Sequence, residues 1–261
     1  MGARFATAVS DVRPGAVVLR GYPLSDVMRH LSYAEGAFLS IIGRLPSAAE
    51  RRVVDVVLNS LLDHGFVAST ITAARYIASG NPQFIPAVAG GILAAGENTL
   101  SPQHSYEVLD RAAELRAGGM TFDQAAARVV EEYRAAGRRL PGLGHPVHKA
   151  ADFRTEVLFE VAGECGVAGE SVEQVLALHR QFVAITGKSL PINIDAALAA
   201  VGRDLGWSSD QTVAFAVLSV LPGLMGHVIE EIEQAVPLRY ITDGEYVGAM
   251  DRELVRDPSV P

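Results

Sequence analysis

Pro141-Gly142-Leu143-Gly144-His145-Pro146-Val147-His148-Lys149-Ala150-Ala151-Asp152-Phe153-Arg154 lies between two alanine-rich amphipathic segments and interrupts the helical pattern of both. The interruption gathers two histidines, a lysine and an arginine beside glycines, so it holds groups that bind anions and move protons. No strand pattern precedes Gly142-Leu143-Gly144-His145, which excludes a nucleotide-binding fingerprint. The stretch reads as a chemically rich loop between helices, and the chain as all-α.

Working outward supports that class. Upstream, Ser47 with Glu50 forms a capping-box pattern ahead of Val53, Val54, Val57, Leu58 and Leu61, and this helix runs into Asp63-His64-Gly65. Helices are expected over 69–78, 84–96, 101–117 and 121–136, the second very small and apolar, with Gly90-Gly91 permitting close helix approach. Downstream, 152–165, 171–186, 194–206 and 209–221 carry apolar residues at three- and four-residue spacing. Two more helices are expected from Ser25-Asp26 and over 33–42, while 11–23, punctuated by Pro-Gly and Gly-Tyr-Pro, reads as loop or a small hairpin. Residues 212–229 contain no Asp, Glu, Lys or Arg, but Pro222, Gly223, Gly226 and His227 interrupt them. They read as a buried core helix followed by a turn. The tail after Val247 is polar and is expected to fray. With no repeat and no linker composition, residues 1–261 read as one unit.

Composition narrows the function. Of the 261 residues, 49% are hydrophobic and 20% charged, a globular balance, and the net charge of -8 offers no general attraction to nucleic acid or anionic membrane. Cys165 is the only cysteine, which excludes an intrachain disulfide and a thiolate cluster. No signal or anchor pattern is visible in residues 1–9, and the expected compartment is the cytoplasm.

Three ionisable groups sit at breaks in the helical pattern: His64, His145 and Asp195. Asp195, in Pro191-Ile192-Asn193-Ile194-Asp195, reads either as the N-cap of the next helix or as a carboxyl group whose pKa an apolar cleft would raise. His145 is either a turn histidine or a cavity-facing proton carrier; His64 either complements a helix C-terminus or serves a site. His148 and His227 are undecided. Lys149, Arg154, Lys188 and Arg239 stand near glycine or proline breaks, where they would meet phosphates and carboxylates. His64, His145 and Asp195 also have the composition of a two-histidine, one-carboxylate metal site.

These residues resemble the citrate synthase superfamily. Arg20-Gly21-Tyr22-Pro23 and Gly43-Arg44-Leu45-Pro46 resemble its Arg-Gly-Tyr-Pro and Gly-x-Leu-Pro, and Asp63-His64 with Ala68-Ser69-Thr70 resembles its Asp-His-Glu-x-x-Ala-Ser-Thr. Residues 142–154 align without gaps to Gly-x-Gly-His-x-Val-x-Lys-x-x-Asp-x-Arg, and Asn193-Ile194-Asp195 resembles the Asn-Val-Asp that supplies the catalytic carboxylate. Gly226-His227 with Glu230, and Glu245-Tyr246-Val247-Gly248, resemble Ala-His-x-x-Glu and Glu-Tyr-Val-Gly. Full-length citrate synthases carry a long helical insert where Pro46 and Asp63 are nearly adjacent here. Ala94-Ala95-Gly96-Glu97-Asn98 also stands where they have His-Gly-Gly-Ala-Asn-Glu. Both departures, with Asp-His-Gly for Asp-His-Glu, resemble citryl-CoA lyase and the C-terminal module of ATP-citrate lyase.

The resemblance implies a short citrate synthase-like fold, a large helical core with a reduced small subdomain. It implies cleavage of citryl-CoA or a related 2-hydroxyacyl-CoA to acetyl-CoA and oxaloacetate. His145 would take the hydroxyl proton, Asp195 would protonate the enolate carbon and His64 would hydrogen-bond substrate. Arg154 and Arg239 would hold carboxylates, and Gly142, Gly144, Lys149 and Lys188 would meet CoA. CoA enters as a substrate ester, with no permanently bound cofactor or metal. A homodimer is implied, with the helices at 84–96 and 212–222 as its surfaces. Pro146 stands where the family usually has arginine, which implies either looser citryl binding or a different acyl-CoA. The alternatives are a condensing acyltransferase and a non-catalytic CoA-binding relative.

Overall fold

The structure, a computed structural model, describes residues 5–253; the end of the polar tail, 254–261, and residues 1–4 lie outside them. The expected hairpin is a small antiparallel sheet of β1 (Ser10–Arg13), β2 (Ala16–Leu19) and β3 (Tyr22–Pro23), in that order. The elements after it in the described chain are helices joined by loops.

The first helices, α1 (Leu24–His30), α2 (Tyr33–Ile42) and α3 (Ala48–Ser60), lead to the Asp63-His64 turn. Capping boxes open α2 (Ser32 with Glu35) and α3 (Ser47 with Glu50), each satisfying otherwise orphaned amides. A short 3₁₀ turn, Gly65–Val67, precedes α4 (Ser69–Gly80), which packs on α5 (Phe84–Leu93). Gly91 makes that approach possible, since a Cβ there would lie 2.8 Å from the Thr70 carbonyl and 2.9 Å from the Ala74 methyl. Next come α6 (Pro102–Ala117), α7 (Phe122–Ala135), α8 (Phe153–Glu164) and α9 (Glu170–Thr186). Of these, α6, α8 and α9 pack around α10 (Ile194–Asp204), whose Ile194 and every residue from Ala196 to Gly202 are buried, so it is a central helix.

The last helix differs from expectation. Instead of turning at Pro222, α11 (Ser209–Gln234) is continuous through it. An interior proline costs about 3 kcal/mol. That cost is offset because Leu224 and Val228, beyond the proline, are fully buried in a second apolar cluster with Ile71, Ala74, Ala78 and Ala87. Phe215 and Ala216, before it, belong to the main core with α10. The helix is long and apolar enough to cross a membrane, yet its face at Thr212, Phe215, Ala216, Ser219 and Val220 is packed inside the protein. The rest of 212–222 is less covered: Val213, Ala214, Val217, Leu218 and Leu221 are half-buried and Pro222 is exposed. On α5, Ile85 and Leu93 remain exposed.

Candidate active site

The glycine-histidine loop and the Asp195 segment are joined by backbone. Leu143 and Ile192 form an antiparallel bridge, Gly144 N donates to the Pro191 carbonyl (2.7 Å), and Asn193 N donates to the Gly142 carbonyl (3.0 Å). Gly142 adopts φ +86°, and a Cβ there would lie 2.8 Å from the Ala196 methyl, so its bareness lets the loop lie on α10. Asn193, not Asp195, caps α10: its Oδ1 accepts from Ala196 N (3.2 Å) while its Nδ2 donates to the Gly144 carbonyl (3.1 Å). Asp195 is thereby free to line the cavity, where its Oδ2 accepts from Ser101 N at 3.4 Å. Leu100, at φ +54°, holds an uncommon left-handed turn next to that amide.

His64 is placed by α11. Ser219 Oγ accepts from Leu61 N (3.2 Å) and donates to the Leu58 carbonyl (2.7 Å). One turn on, a Cβ at Gly223 would collide with the Leu62 carbonyl. Another turn on, His227 Nε2 meets Asp63 Oδ1 at 3.1 Å. Spaced four apart, these residues form one face of the helix, along which the chain from Leu61 to Asp63 is laid. The same Asp63 oxygen accepts from Gly65 N (3.2 Å), closing the turn that presents His64.

His64 and His145 converge, with their Nε2 atoms 3.1 Å apart. His145 Nδ1 accepts from two amides, Val147 N (3.1 Å) and His148 N (2.9 Å), so the neutral ring carries its proton on Nε2. Nε2 of His64 is then the acceptor of the pair, an assignment made from the hydrogen-bond pattern. Desolvation, with Arg154 nearby, lowers the pKa of both rings, that of His145 to about 4. Both are neutral near pH 7. In this neutral form His145 directs its Nε2 proton at His64, and both Nε2 atoms border the cavity. The tautomer also weighs against the metal reading, because Nε2 of His145 offers a proton and not a lone pair. The compact donor set is in any case His64, His145 and His148, within 4.8 Å of one another, and Asp195 is not part of it.

Burial raises the pKa of Asp195, against the pull of the Ser101 amide and Arg154, so its carboxyl group holds a proton above the ordinary carboxylate range. Arg154 is buried and paired two-pronged with Asp152, Nε to Oδ1 (2.8 Å) and Nη2 to Oδ2 (2.7 Å). Asp152 also accepts from Ile194 N (3.2 Å), tying the arginine to the start of α10. Among the described residues Nη1 of Arg154 has no hydrogen-bond partner, which leaves that edge for an anion.

His64, His145, Asp195 and Arg154 line one cavity of ≈ 650 Å³. A second, of ≈ 740 Å³, shares Asn98, Gly144, His145 and Pro146 with it and is lined by Arg134, Arg138, Arg139 and Lys188. Lys188 and Gly144 thus stand together in a basic trough beside the reaction cavity. Lys149 does not join them; its Nζ donates to the His145 carbonyl (3.1 Å). Arg239 is drawn away to Glu231 (2.5 Å), which also holds Arg75. Sequence reading missed the three arginines, since exposed charges near a helix end carry no signal of their own. It left His227 undecided and Thr70 unweighted.

Residues 46–240 match the family described as citrate synthase, C-terminal domain, and the chain belongs to that family. Among solved structures, it is similar to the citryl-CoA lyase of Hydrogenobacter thermophilus, with 29% identity and a TM-score of 0.85 over 96% of this chain and 97% of that one. It shares its fold with ATP citrate lyase of Methanothrix soehngenii in complex with citrate and coenzyme A, at 19% identity and TM-score 0.81, covering 97% of this chain and 43% of that one. A citrate synthase of Deinococcus radiodurans is 26% identical over 98% of this chain and 66% of its own length. The chain spans 52% and 66% of the first curated citrate synthases it matches.

Proposed function

We propose that this protein is a CoA-thioester carbon–carbon lyase of the citryl-CoA type, releasing acetyl-CoA and oxaloacetate. The observation that carries the reading is its likeness to the Hydrogenobacter lyase over nearly the full length of both chains. The site chemistry agrees. When the substrate hydroxyl replaces the His64–His145 contact, its proton passes to Nε2 of His64, while the Nε2 proton of His145 supports the same oxygen as it becomes a ketone, the reverse of the role the resemblance gave His145. The C–C electrons move to the thioester, and Asp195, protonated because it is desolvated, delivers its proton to the departing carbon. Arg154 offers Nη1 to a substrate carboxylate, and the trough of Arg134, Arg138, Arg139 and Lys188 takes the phosphates of CoA. Pro146, shared by the two cavities, faces the junction of acyl group and CoA and is the position that sets the acyl substrate.

The unit we infer is a homodimer. Arg239, held at Glu231 outside this protomer's cavity, then serves its partner's site, and exposed Ile85 and Leu93 of α5 contribute to the interface.

The test is steady-state cleavage of citryl-CoA by the purified chain, beside condensation of acetyl-CoA with oxaloacetate. Fast formation of acetyl-CoA supports the lyase. Condensation that releases free CoA, without citryl-CoA cleavage, would support the acyltransferase instead.

A further inference from the structure

The start of α4 opens on the cavity of His64, His145 and Asp195, where residues 67–70 form part of the wall. This helix end is uncapped: Ala68 stands at the capping position with no side chain to offer. Among the described residues, no group accepts from the amides of Ser69 and Thr70. A second observation is independent of the helix end. Thr70 belongs to the same wall, is 1% exposed, and its Oγ1 has no hydrogen-bond partner. Leaving a buried hydroxyl unpaired destabilises the fold, so the residue is understandable if a ligand supplies the missing acceptor. Ser69 cannot serve equally, because its Oγ already donates to the Ala94 carbonyl (3.1 Å). That bond draws α4 against Ala94 and Ala95, a facing wall with no polar side chains.

We propose that the α4 amides and the Thr70 hydroxyl form an oxyanion subsite, which receives the thioester oxygen while the acetyl enolate exists. The proposal rests on the lyase reading. As the C–C bond breaks, its electron pair forms the enolate C=C and the carbonyl π pair moves onto the thioester oxygen. When Asp195 protonates the carbon, that charge returns to the C=O bond. Fixed donors at a positive helix end stabilise the charge only while it is present. The ligand class is therefore an oxyanion attached to CoA, not a free carboxylate.

The probe is carboxymethyl-CoA, whose carboxylate sets an anionic oxygen one bond farther from the sulfur than the enolate oxygen, titrated calorimetrically beside CoA and oxaloacetate. The wild type is expected to bind carboxymethyl-CoA more tightly than CoA. Thr70→Val should weaken carboxymethyl-CoA about tenfold while leaving CoA and oxaloacetate unchanged, and should lower kcat by about 10²-fold. Thr70→Ser, which keeps the hydroxyl, should restore both. Thermal melting separates this from a structural role: removing an unpaired hydroxyl should leave Tm equal or higher, whereas a packing defect lowers it. Unchanged carboxymethyl-CoA binding in Thr70→Val overturns the proposal, as does a loss confined to oxaloacetate. If the wild type cleaves no citryl-CoA but Thr70→Val still loses carboxymethyl-CoA, the lyase reading fails and the oxyanion subsite stands.

Discussion

Asn193 joins the two halves of the site to each other: its Nδ2 donates to the Gly144 carbonyl at 3.1 Å while its Oδ1 caps α10 one turn before the core. One amide thus fixes the distance between the His145 loop and the helix bearing Asp195. Asn193→Ala should cost about 1–2 kcal/mol from the lost cap and lower kcat as well. Asn193→Asp keeps the cap but not the Nδ2 donor. It should recover stability in denaturant unfolding without recovering turnover.

Asp195 is expected to act in its protonated form. Cleavage should be fast below its raised pKa and fall as pH rises through it, on a limb above the ordinary carboxylate value of 3.8. Asp195→Asn mimics the protonated group sterically but has no proton to give. A kcat lowered by about 10²–10⁴-fold, with unchanged melting, is the expected result.

His145 should remain neutral, with its proton on Nε2, from pH 8 down to about pH 5, and titrate at about 4. Nitrogen-15 NMR of labelled histidine reads both the tautomer and the titration. The sign for stability follows: the unfolded ring binds its proton near 6.5 and the folded ring only near 4. The contribution is complete above pH 6.5 and is lost progressively as pH falls toward 4. A ring that titrates at 6.5 in the folded protein would contradict the assignment.

Gly223→Ala places a methyl group against the Leu62 carbonyl and should destabilise by about 1–3 kcal/mol. Because that carbonyl lies two residues before His64, kcat should fall further than a remote substitution of equal cost. A remote variant matched in Tm is the control.

The basic trough should act on binding alone. Arg138→Ala, Arg139→Ala and Lys188→Ala should each raise KM for the CoA ester about two- to fivefold, as expected of exposed ion pairs, with kcat unchanged. Lys149→Ala should leave KM unchanged, since its ammonium lies on the His145 carbonyl.

Much of this architecture is legible in sequence because helices repeat their apolar residues and announce their ends, as Ser47 and Glu50 do for α3. What escaped has physical reasons. Pro222 reads as a stop because local chain chemistry says so; burial of Leu224 and Val228 by distant residues overrides it. Asp195 and Asn193 are both good caps, and only the pairing with Gly144 decides between them. Histidine and aspartate at helix breaks could be singled out from sequence as candidates. The tautomer of His145 could not, since it is set by the amides of Val147 and His148 folding back onto its ring.

The most direct test is the fate of the thioester in a single turnover, with enzyme in excess over citryl-CoA and the products resolved by chromatography. The proposed lyase yields acetyl-CoA and oxaloacetate in equal amounts, and Asp195→Asn abolishes both. Free CoA and citrate as the products, or acetyl-CoA formed equally fast by Asp195→Asn, would contradict the account.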